Sequence, residues 1–420
     1  MSKNVLNSSC PSLPQIVSKS MRFNPQFAVP DSQSGIDNPQ SAIRNPQLEV
    51  PGLYIHIPFC KTKCGYCDFY SVIHRSRLSD YLEGLPHEME MYGDQFSSFD
   101  TVYIGGGTPS LLSIEQLEAI LTAVQKNFNL LSDTEITLEA NPGDLSLPYL
   151  RSLRQTGINR LNIGIQSFDR KVLDFLGRRH SAEEAISALR SAREAGFENI
   201  GLDLIYAIPG QEMELWIATL DQALAFSPEH LSCYQLTLES GTPLGRRHGK
   251  GEFELPGERL QLDFFMRTAE RLEDGSYIQY EVSNFARETA FFSRHNQKYW
   301  NHTPYLGLGP AAHSFLDNRR WWNHRSVDQY IADIQAGKPP IGETESLTMD
   351  QLRLEALFLG LRTRRGIHLQ GFRDHYQCDL VAEKKYVLPR LQEEGLLSVQ
   401  DGYLIPTRAG LAVADRLALI

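Results

Sequence analysis

Residues 51–70 read PGLYIHIPFCKTKCGYCDFY, and three cysteines in it, Cys60, Cys64 and Cys67, are spaced C-x3-C-x2-C. A short apolar run, Leu53 to Ile57, precedes them and reads as a buried strand. Three thiolates packed this closely can wrap one face of an iron–sulfide cube, for which cysteine thiolates are the usual ligands. A four-iron cube needs four ligands, so three cysteines leave one iron open to a substrate or cofactor. Two plainer readings fit worse. Structural zinc normally takes four ligands, often as paired C-x2-C units, and no second pair follows. A disulfide framework needs partners, and the other cysteines, Cys10, Cys233 and Cys378, are isolated.

The whole chain sets wider bounds. Its 420 residues allow one large domain and a smaller one. A hydrophobic share of 41% and a charged share of 22% are ordinary globular values. The net charge of −10 argues against a general nucleic-acid or anionic-membrane surface, because both are negative. No apolar run approaches the ~18 residues of a membrane span, and residues 1–30 lack the continuous apolar core of a secretory signal. Clustered cysteines without a framework point to a reducing, cytoplasmic setting.

Residues 1–50 are rich in Ser, Asn, Gln and Pro, with Asn-Pro-Gln starting at Asn24, Asn38 and Asn45. Such a composition cannot bury enough surface to offset the entropy of ordering. The expectation is a disordered leader or an upstream extension, with Met21 as an alternative start. From Leu53 onward, short β-rich runs alternate with helical periodicity. Strands are expected over 53–57, 101–104, 135–139, 160–165, 200–205 and 231–238, and helices near 79–92, 113–127, 146–156, 181–195 and 212–226. Strand then helix, repeated about six times, predicts an α/β fold, a parallel sheet curved into a partial (β/α)6 barrel. Six units are too few to close an eight-fold barrel, and an open one leaves a wide cleft. A helix near 256–274 and a strand at Ile278 to Val282 follow, then an aromatic-rich loop. The tail reads as three helices, a hairpin Leu397 to Ile405 about Asp401-Gly402, and a last helix over 407–418. That order is a C-terminal α+β region like a winged helix, given a structural or lid role. The expected organisation is a leader over 1–50, the partial barrel over 51–250, a barrel-completing region over 251–345, and the winged-helix-like domain over 346–420.

Polar groups gather at successive strand ends. The second strand ends in Gly105-Gly106-Gly107-Thr108-Pro109, where glycine lets a ligand approach the backbone. The third ends at Glu139, in Glu-Ala-Asn-Pro, and the fourth in a Gly-Ile-Gln run carrying Gln166. Arg178 follows and can fork onto a carboxylate, and the fifth strand carries Asp203. Each residue alone reads as a capping or surface group. Together they ring one opening at the edge where parallel α/β sheets bind ligands.

The three-cysteine run, with Tyr66 before the last cysteine, resembles the radical S-adenosylmethionine (SAM) superfamily. GGGTPS, LEANPG, GIQSF, LDLIYAIPGQ and HNQKYW together resemble the family of oxygen-independent coproporphyrinogen III oxidase and its relatives, over roughly residues 51–420. The resemblance implies a 4Fe-4S cluster on Cys60, Cys64 and Cys67, with SAM chelating the open iron and being cleaved to a radical. It implies SAM contacts at Tyr54, Gly106 and Glu139. A second SAM position is implied at Tyr66, Gly107, Thr108, Gln166, Arg178 and Asp203.

Two details choose the branch. The oxidase pattern has a further cysteine two residues after the third, and here that position is Phe69. Residues 295–300, HNQKYW, are similar to the H-N-x-x-Y-W signature of the HemW-type haem chaperones. Imidazole is a common axial ligand of haem iron, and aromatic rings can line a flat macrocycle. His295, with Asn296, Tyr299 and Trp300, is therefore the expected haem site, with His302, His313 and His324 nearby. A loop packed by its own aromatics is the plainer alternative. The branch implies a haem chaperone passing haem to an acceptor such as a membrane respiratory protein, with no nucleic acid involved and homodimerisation left open. The rival reading is coproporphyrinogen III dehydrogenase.

Overall fold

The structure is a computed structural model and describes residues 50–419. The leader expected over 1–50 lies outside the described residues except for Val50.

The parallel strands are β1 (Gly52–Ile57), β2 (Ser98–Gly106), β3 (Asn129–Ala140), β4 (Arg160–Gln166), β5 (Ile200–Tyr206) and β6 (His230–Gln235). They pair in sequence order, each parallel to the next. Their side chains split by the two-residue period of a strand. Leu53, Ile55, Ile57, Val102, Ile104, Leu138, Leu161, Ile163, Leu202 and Leu231 are sealed in the main core. Tyr54, His56, Tyr103, Glu139, Asn162 and Asp203 alternate with them and face the barrel interior. The outer helices cover the apolar face. The helix Ile114–Asn127 buries Leu117, Ile120, Leu121 and Val124, the spacing of one helical face. It opens on a capping box between Ser113 and Gln116. Each such fully buried aliphatic side chain stabilises the fold by about 1.5–3 kcal/mol.

The sheet extends further than the six units. Beyond β6 lie β7 (Ile278–Gln279) and β8 (Asn284–Ala286), both in antiparallel pairs. On the other side, β9 (Tyr305–Leu308) runs parallel to β1, followed by antiparallel β10 (His313–Leu316), β11 (Arg319–Asn323) and β12 (Ile341–Ser346). The result is a 12-stranded sheet with the parallel strands at its centre. The stretch expected as an aromatic-rich loop is thus partly sheet. Trp321 and Trp322 are buried on β11.

The tail forms helices Met349–Gly360, Leu369–Tyr376, Leu380–Glu383 and Leu388–Glu393. A small sheet follows, of β13 (Ile367–His368), β14 (Leu397–Gln400) and β15 (Tyr403–Pro406) in the order β13-β15-β14. The hairpin turns at Asp401 and Gly402, whose φ angles are +49° and +79°, as a tight two-residue turn requires. This region shares one hydrophobic cluster with the sheet: Tyr305 and Phe315 pack with Leu352, Leu361, Phe372 and Leu404. Arg320 grips Glu355 at 2.6 Å, and Arg362 bridges Glu281 at 3.0 Å and Asp415 at 2.9 Å.

Candidate functional site

The cysteine loop is a closed structure at the C-terminal ends of the strands. Its two ends are stitched by Cys60 N to Val72 O at 3.0 Å and Val72 N to Pro58 O at 2.7 Å. Its middle is tied down by Gly65, which donates to Leu176 O at 3.0 Å and accepts from Leu244 N at 2.8 Å. The glycine turn after β2 pins its start through Gly107 N to Ile57 O and Thr108 N to Phe59 O. A Cβ on Gly107 would stand 2.7 Å from Phe59 O and 2.8 Å from Ile57 O. Glycine is therefore demanded by the loop's own backbone, before any ligand is considered. Gly106 carries a φ of +107°, and its Cβ would strike the His56 ring.

Cys60, Cys64 and Cys67 are all free thiols. Thr108 Oγ1 donates to Cys60 Sγ at 3.4 Å, and Arg178 Nη1 donates to Cys64 Sγ at 3.4 Å. Burial, with Cys64 and Cys60 alongside, pushes the Cys67 thiol up to about 11. Three thiols on one loop, two of them already receiving hydrogen bonds, are of the donor type that an iron–sulfur cluster takes. Hydrogen bonds to sulfur are one of the protein's means of setting a cluster's potential. Lys61 Nζ ties the loop to Asp144 after β3 at 2.8 Å.

The polar groups named from the sequence fall into two sets beside the loop. Glu139 accepts from Gly106 N at 3.0 Å and from Tyr103 Oη at 2.8 Å, and burial raises its pKa. Arg178 donates to Gly164 O at 2.7 Å. A Cβ on Gly164 would touch both Gln166 and Arg178, so these side chains meet over that glycine. Gln166 takes a positive φ of +65°. Tyr66 is half-buried and lies within reach of the charges of Arg178, Cys64, Cys67 and Asp203. Asp203 accepts from Asn162 Nδ2 at 2.8 Å, and burial and then the Glu139 charge push its carboxyl up to about 7. Asp203 Oδ1 and Arg178 Nε are buried without a hydrogen-bond partner. Such orphaned groups are costly unless something else pairs with them. An acceptor and a donor left open here suit a zwitterionic ligand such as SAM. Tyr54 lies on β1 with its hydroxyl 3.0 Å from His56 Nδ1, beside the glycine turn.

The histidine motif lies at the other end of the barrel. HNQKYW falls in the helix Arg294–Trp300, which closes the N-terminal ends of β1, β2 and β3. Lys298 reaches Asp100 at 2.6 Å and Val50 O at 2.6 Å, and Arg294 reaches Asp100 and Asp133. His295 is 1% exposed. Its Nδ1 meets Thr101 Oγ1 at 2.9 Å, its Nε2 meets Tyr299 Oη at 2.9 Å, and its ring stacks on Tyr103 at 5.1 Å. Burial first, then the Lys298 and Arg160 charges, lower its pKa to about 3. In this conformation neither nitrogen is free for iron. Asn296 N is capped by Ser293 Oγ at 3.3 Å, Tyr299 packs edge-on to Tyr305, and Trp300 packs on Tyr280 at 5.8 Å.

Sequence reasoning passed over Tyr103, Asn162 and Arg325. The first two lie on the inward phase of β2 and β4, so strand alternation could have found them. Arg325 had no local signal, since it reaches the loop only in three dimensions, donating to Asp68 O at 3.4 Å.

Comparison with known proteins agrees with this layout. Residues 54–223 match the radical SAM superfamily, and residues 347–413 match the HemN C-terminal domain. The chain is 37% identical to the heme chaperone HemW of Lactococcus lactis over 334 residues, 79% of this chain and 86% of that one. It is 35% identical to HemW of Bacillus subtilis over 368 residues, 87% of this chain and 97% of that one. The solved structure of coproporphyrinogen III oxidase (HemN) from Escherichia coli, a radical SAM enzyme, shares the fold. Its TM-score is 0.76 at 25% identity, covering 90% of both chains. A likeness that runs through nearly the full length of the HemW proteins, from the cysteine loop to the C-terminal sheet, makes this chain a member of the HemW family within the radical SAM superfamily.

Proposed function

We propose that this chain is a haem chaperone, which binds haem as cargo and hands it to an acceptor protein. The observation that carries the reading is the 37% identity to a protein named heme chaperone over 86% of that protein's length. Phe69, half exposed where the oxidase pattern has a cysteine, supports the chaperone over the oxidase.

In this reading Cys60, Cys64 and Cys67 hold a 4Fe-4S cluster. Glu139, oriented by Tyr103, and the backbone at Gly106 receive the amino end of SAM. When bound, these groups supply a one-electron donor and a sulfonium that the electron can cleave. Gln166, Arg178 and Asp203 line the same opening, and Arg178 and Thr108 hold hydrogen bonds on two cluster sulfurs. The winged-helix-like region from 346 onward braces the sheet. Among the described residues no helix is long and apolar enough to cross a membrane. A cytoplasmic setting and delivery to a membrane or respiratory haem protein complete the proposal.

The test is anaerobic haem titration of the cluster-loaded protein, followed by the Soret band. Saturable binding near one haem per chain is expected, and its absence overturns the reading. The rival is tested by incubation with SAM, reductant and coproporphyrinogen III. Protoporphyrinogen formed above background would make the chain an oxidase and sink the chaperone.

A further inference from the structure

We infer that His313 ligates the haem iron, at the cluster end of the barrel, with Trp322 fixing its ring and Arg325 receiving a propionate. This rests on the haem-cargo reading and assigns its site.

The first ground is availability. An iron ligand needs a neutral imidazole with a free lone pair. His295 spends both nitrogens on Thr101 and Tyr299. His56 spends both on Tyr54 and Tyr70 O. His302 lies between Tyr376 at 3.0 Å and Glu355 at 3.4 Å, and His324 faces Asp333 at 3.2 Å. His302 Nε2 also lacks a hydrogen bond, but it is held against the Glu355 carboxylate, whereas no carboxylate among the described residues lies within ion-pair distance of His313. Its ring is partly exposed, and its Nδ1 is buried without a partner. Burial, then the Arg320 and Arg325 charges, lower its pKa to about 4, so the ring is an uncharged base at neutral pH.

The second ground is placement. His313 sits opposite Trp322 across the β10–β11 pair, and their rings stack at 5.4 Å and 25°. That contact fixes the imidazole plane, as a ligand's orientation must be fixed by neighbours. β10 follows β9, which is registered on β1 from Gly52↔Tyr305 to Ile55↔Leu308. Phe315 pairs with Tyr305 in the antiparallel sense, so His313 stands level with Gly307 and Tyr54, with the His56 and Arg325 charges acting on its ring from the cysteine-loop side. His295 lies beside Gly52, at the opposite end of the strand.

The third ground is the surrounding chemistry. Haem presents an apolar macrocycle with two carboxylates on one edge. Arg325 is exposed, and its recorded bond is to the neutral Asp68 carbonyl at 3.4 Å, so its charge is open to a carboxylate. Phe69, next to Asp68, is 50% exposed, and Ile73 on the same loop is 53% exposed. Exposed apolar side chains of the cysteine loop, a cation bonded to that loop and an imidazole that feels that cation's charge thus lie close together.

The experiment is haem titration of the full, cluster-loaded chain as wild type, His313→Gly, His295→Ala and Arg325→Ala. Soret and ligand-field bands report ligation. Far-UV circular dichroism and cluster absorbance report folding. His313→Gly should weaken haem binding at least about tenfold, the lower end of what losing a group close to a metal costs, and change the bands. Added imidazole should restore the wild-type bands, which a purely structural role would not allow. Arg325→Ala should weaken binding and leave the bands unchanged, and His295→Ala should keep the wild-type bands. A His313→Gly protein with wild-type affinity and bands overturns the assignment and leaves haem carriage standing. If wild type shows no saturable binding, both fall together. If His313→Gly fails to fold, His313→Gln takes its place with the same criteria.

Discussion

His295 Nδ1 and Thr101 Oγ1, 194 residues apart in sequence, meet at 2.9 Å inside the barrel. With Tyr299 on the other nitrogen, this contact fastens the motif helix to β2. Removing the imidazole leaves the buried Thr101 hydroxyl and the part-buried Tyr299 hydroxyl without their partner and a void between Tyr103 and Tyr299. His295→Ala should therefore destabilise the fold by about 2–4 kcal/mol. Denaturant unfolding of the haem-free protein measures it. An unchanged midpoint would mean that the helix opens freely and exposes the ring.

The sulfur contacts predict how the cluster responds to its surroundings. Cys64→Ala should abolish the cluster's broad visible absorbance, and unchanged iron and sulfide contents would refute the ligand set. Arg178→Gln keeps all three thiols but removes a cation 3.4 Å from Cys64 Sγ. Loss of positive charge disfavours the reduced cluster, so its potential should fall on the order of 50 mV, close to tenfold in a one-electron equilibrium. Redox titration followed by electron paramagnetic resonance reads the shift, and a rise would contradict the contact.

Glu88 predicts a pH dependence of stability. It is fully buried and accepts from Gly309 N at 2.8 Å, Asn323 Nδ2 at 2.5 Å and Tyr330 Oη at 2.7 Å. Burial outweighs these donors and raises its pKa to about 7. Between the unfolded value near 4.5 and about 7, the folded chain holds a proton that the unfolded chain has lost. Stability from this group is therefore full below the unfolded value and falls as pH rises through that window. The slope is at most about 1.4 kcal/mol per pH unit. Thermal melts of wild type and Glu88→Gln from pH 5 to pH 7 isolate it. Parallel pH profiles would show that Glu88 does not titrate there.

The Arg320–Glu355 pair predicts how firmly the C-terminal region is held. Glu355→Ala leaves Arg320 with Glu345 at 3.0 Å as its remaining carboxylate. Because the pair is mostly but not wholly buried, the expected loss is about 1–3 kcal/mol, below the cost of breaking a fully buried pair. Hydrogen exchange should quicken over Met349–Gly360 while β1–β4 keep their protection. Uniform quickening would mean that the two regions unfold as one unit.

The parts of this fold that were legible in the sequence are those whose causes are local. The cysteine loop is written in one short spacing, and β1 to β6 announce themselves as apolar runs alternating with helical periodicity. Glu139 could be placed in the opening because it stands at a strand end, and Asp203 because it alternates with the apolar residues of β5. β9 could not be read this way. It has four residues, YLGL, and its pairing partner β1 lies some 250 positions earlier, so nothing nearby marks it as sheet. The role of HNQKYW was hidden for a different reason. A histidine among aromatics looks the same whether it awaits a metal or bridges two hydroxyls, and Thr101, which decides between them in this conformation, carries no mark in the sequence. Arg178 was visible as a charge near the fourth strand, but its contact with Cys64 depends on how the loop folds back.

The motif helix stoppers the barrel at the N-terminal ends of its strands, through Lys298 on Asp100 and Val50 and Arg294 on Asp100 and Asp133. A vessel closed at its base fills and empties through one mouth. If haem is carried as proposed, SAM and haem share the rim around the cysteine loop.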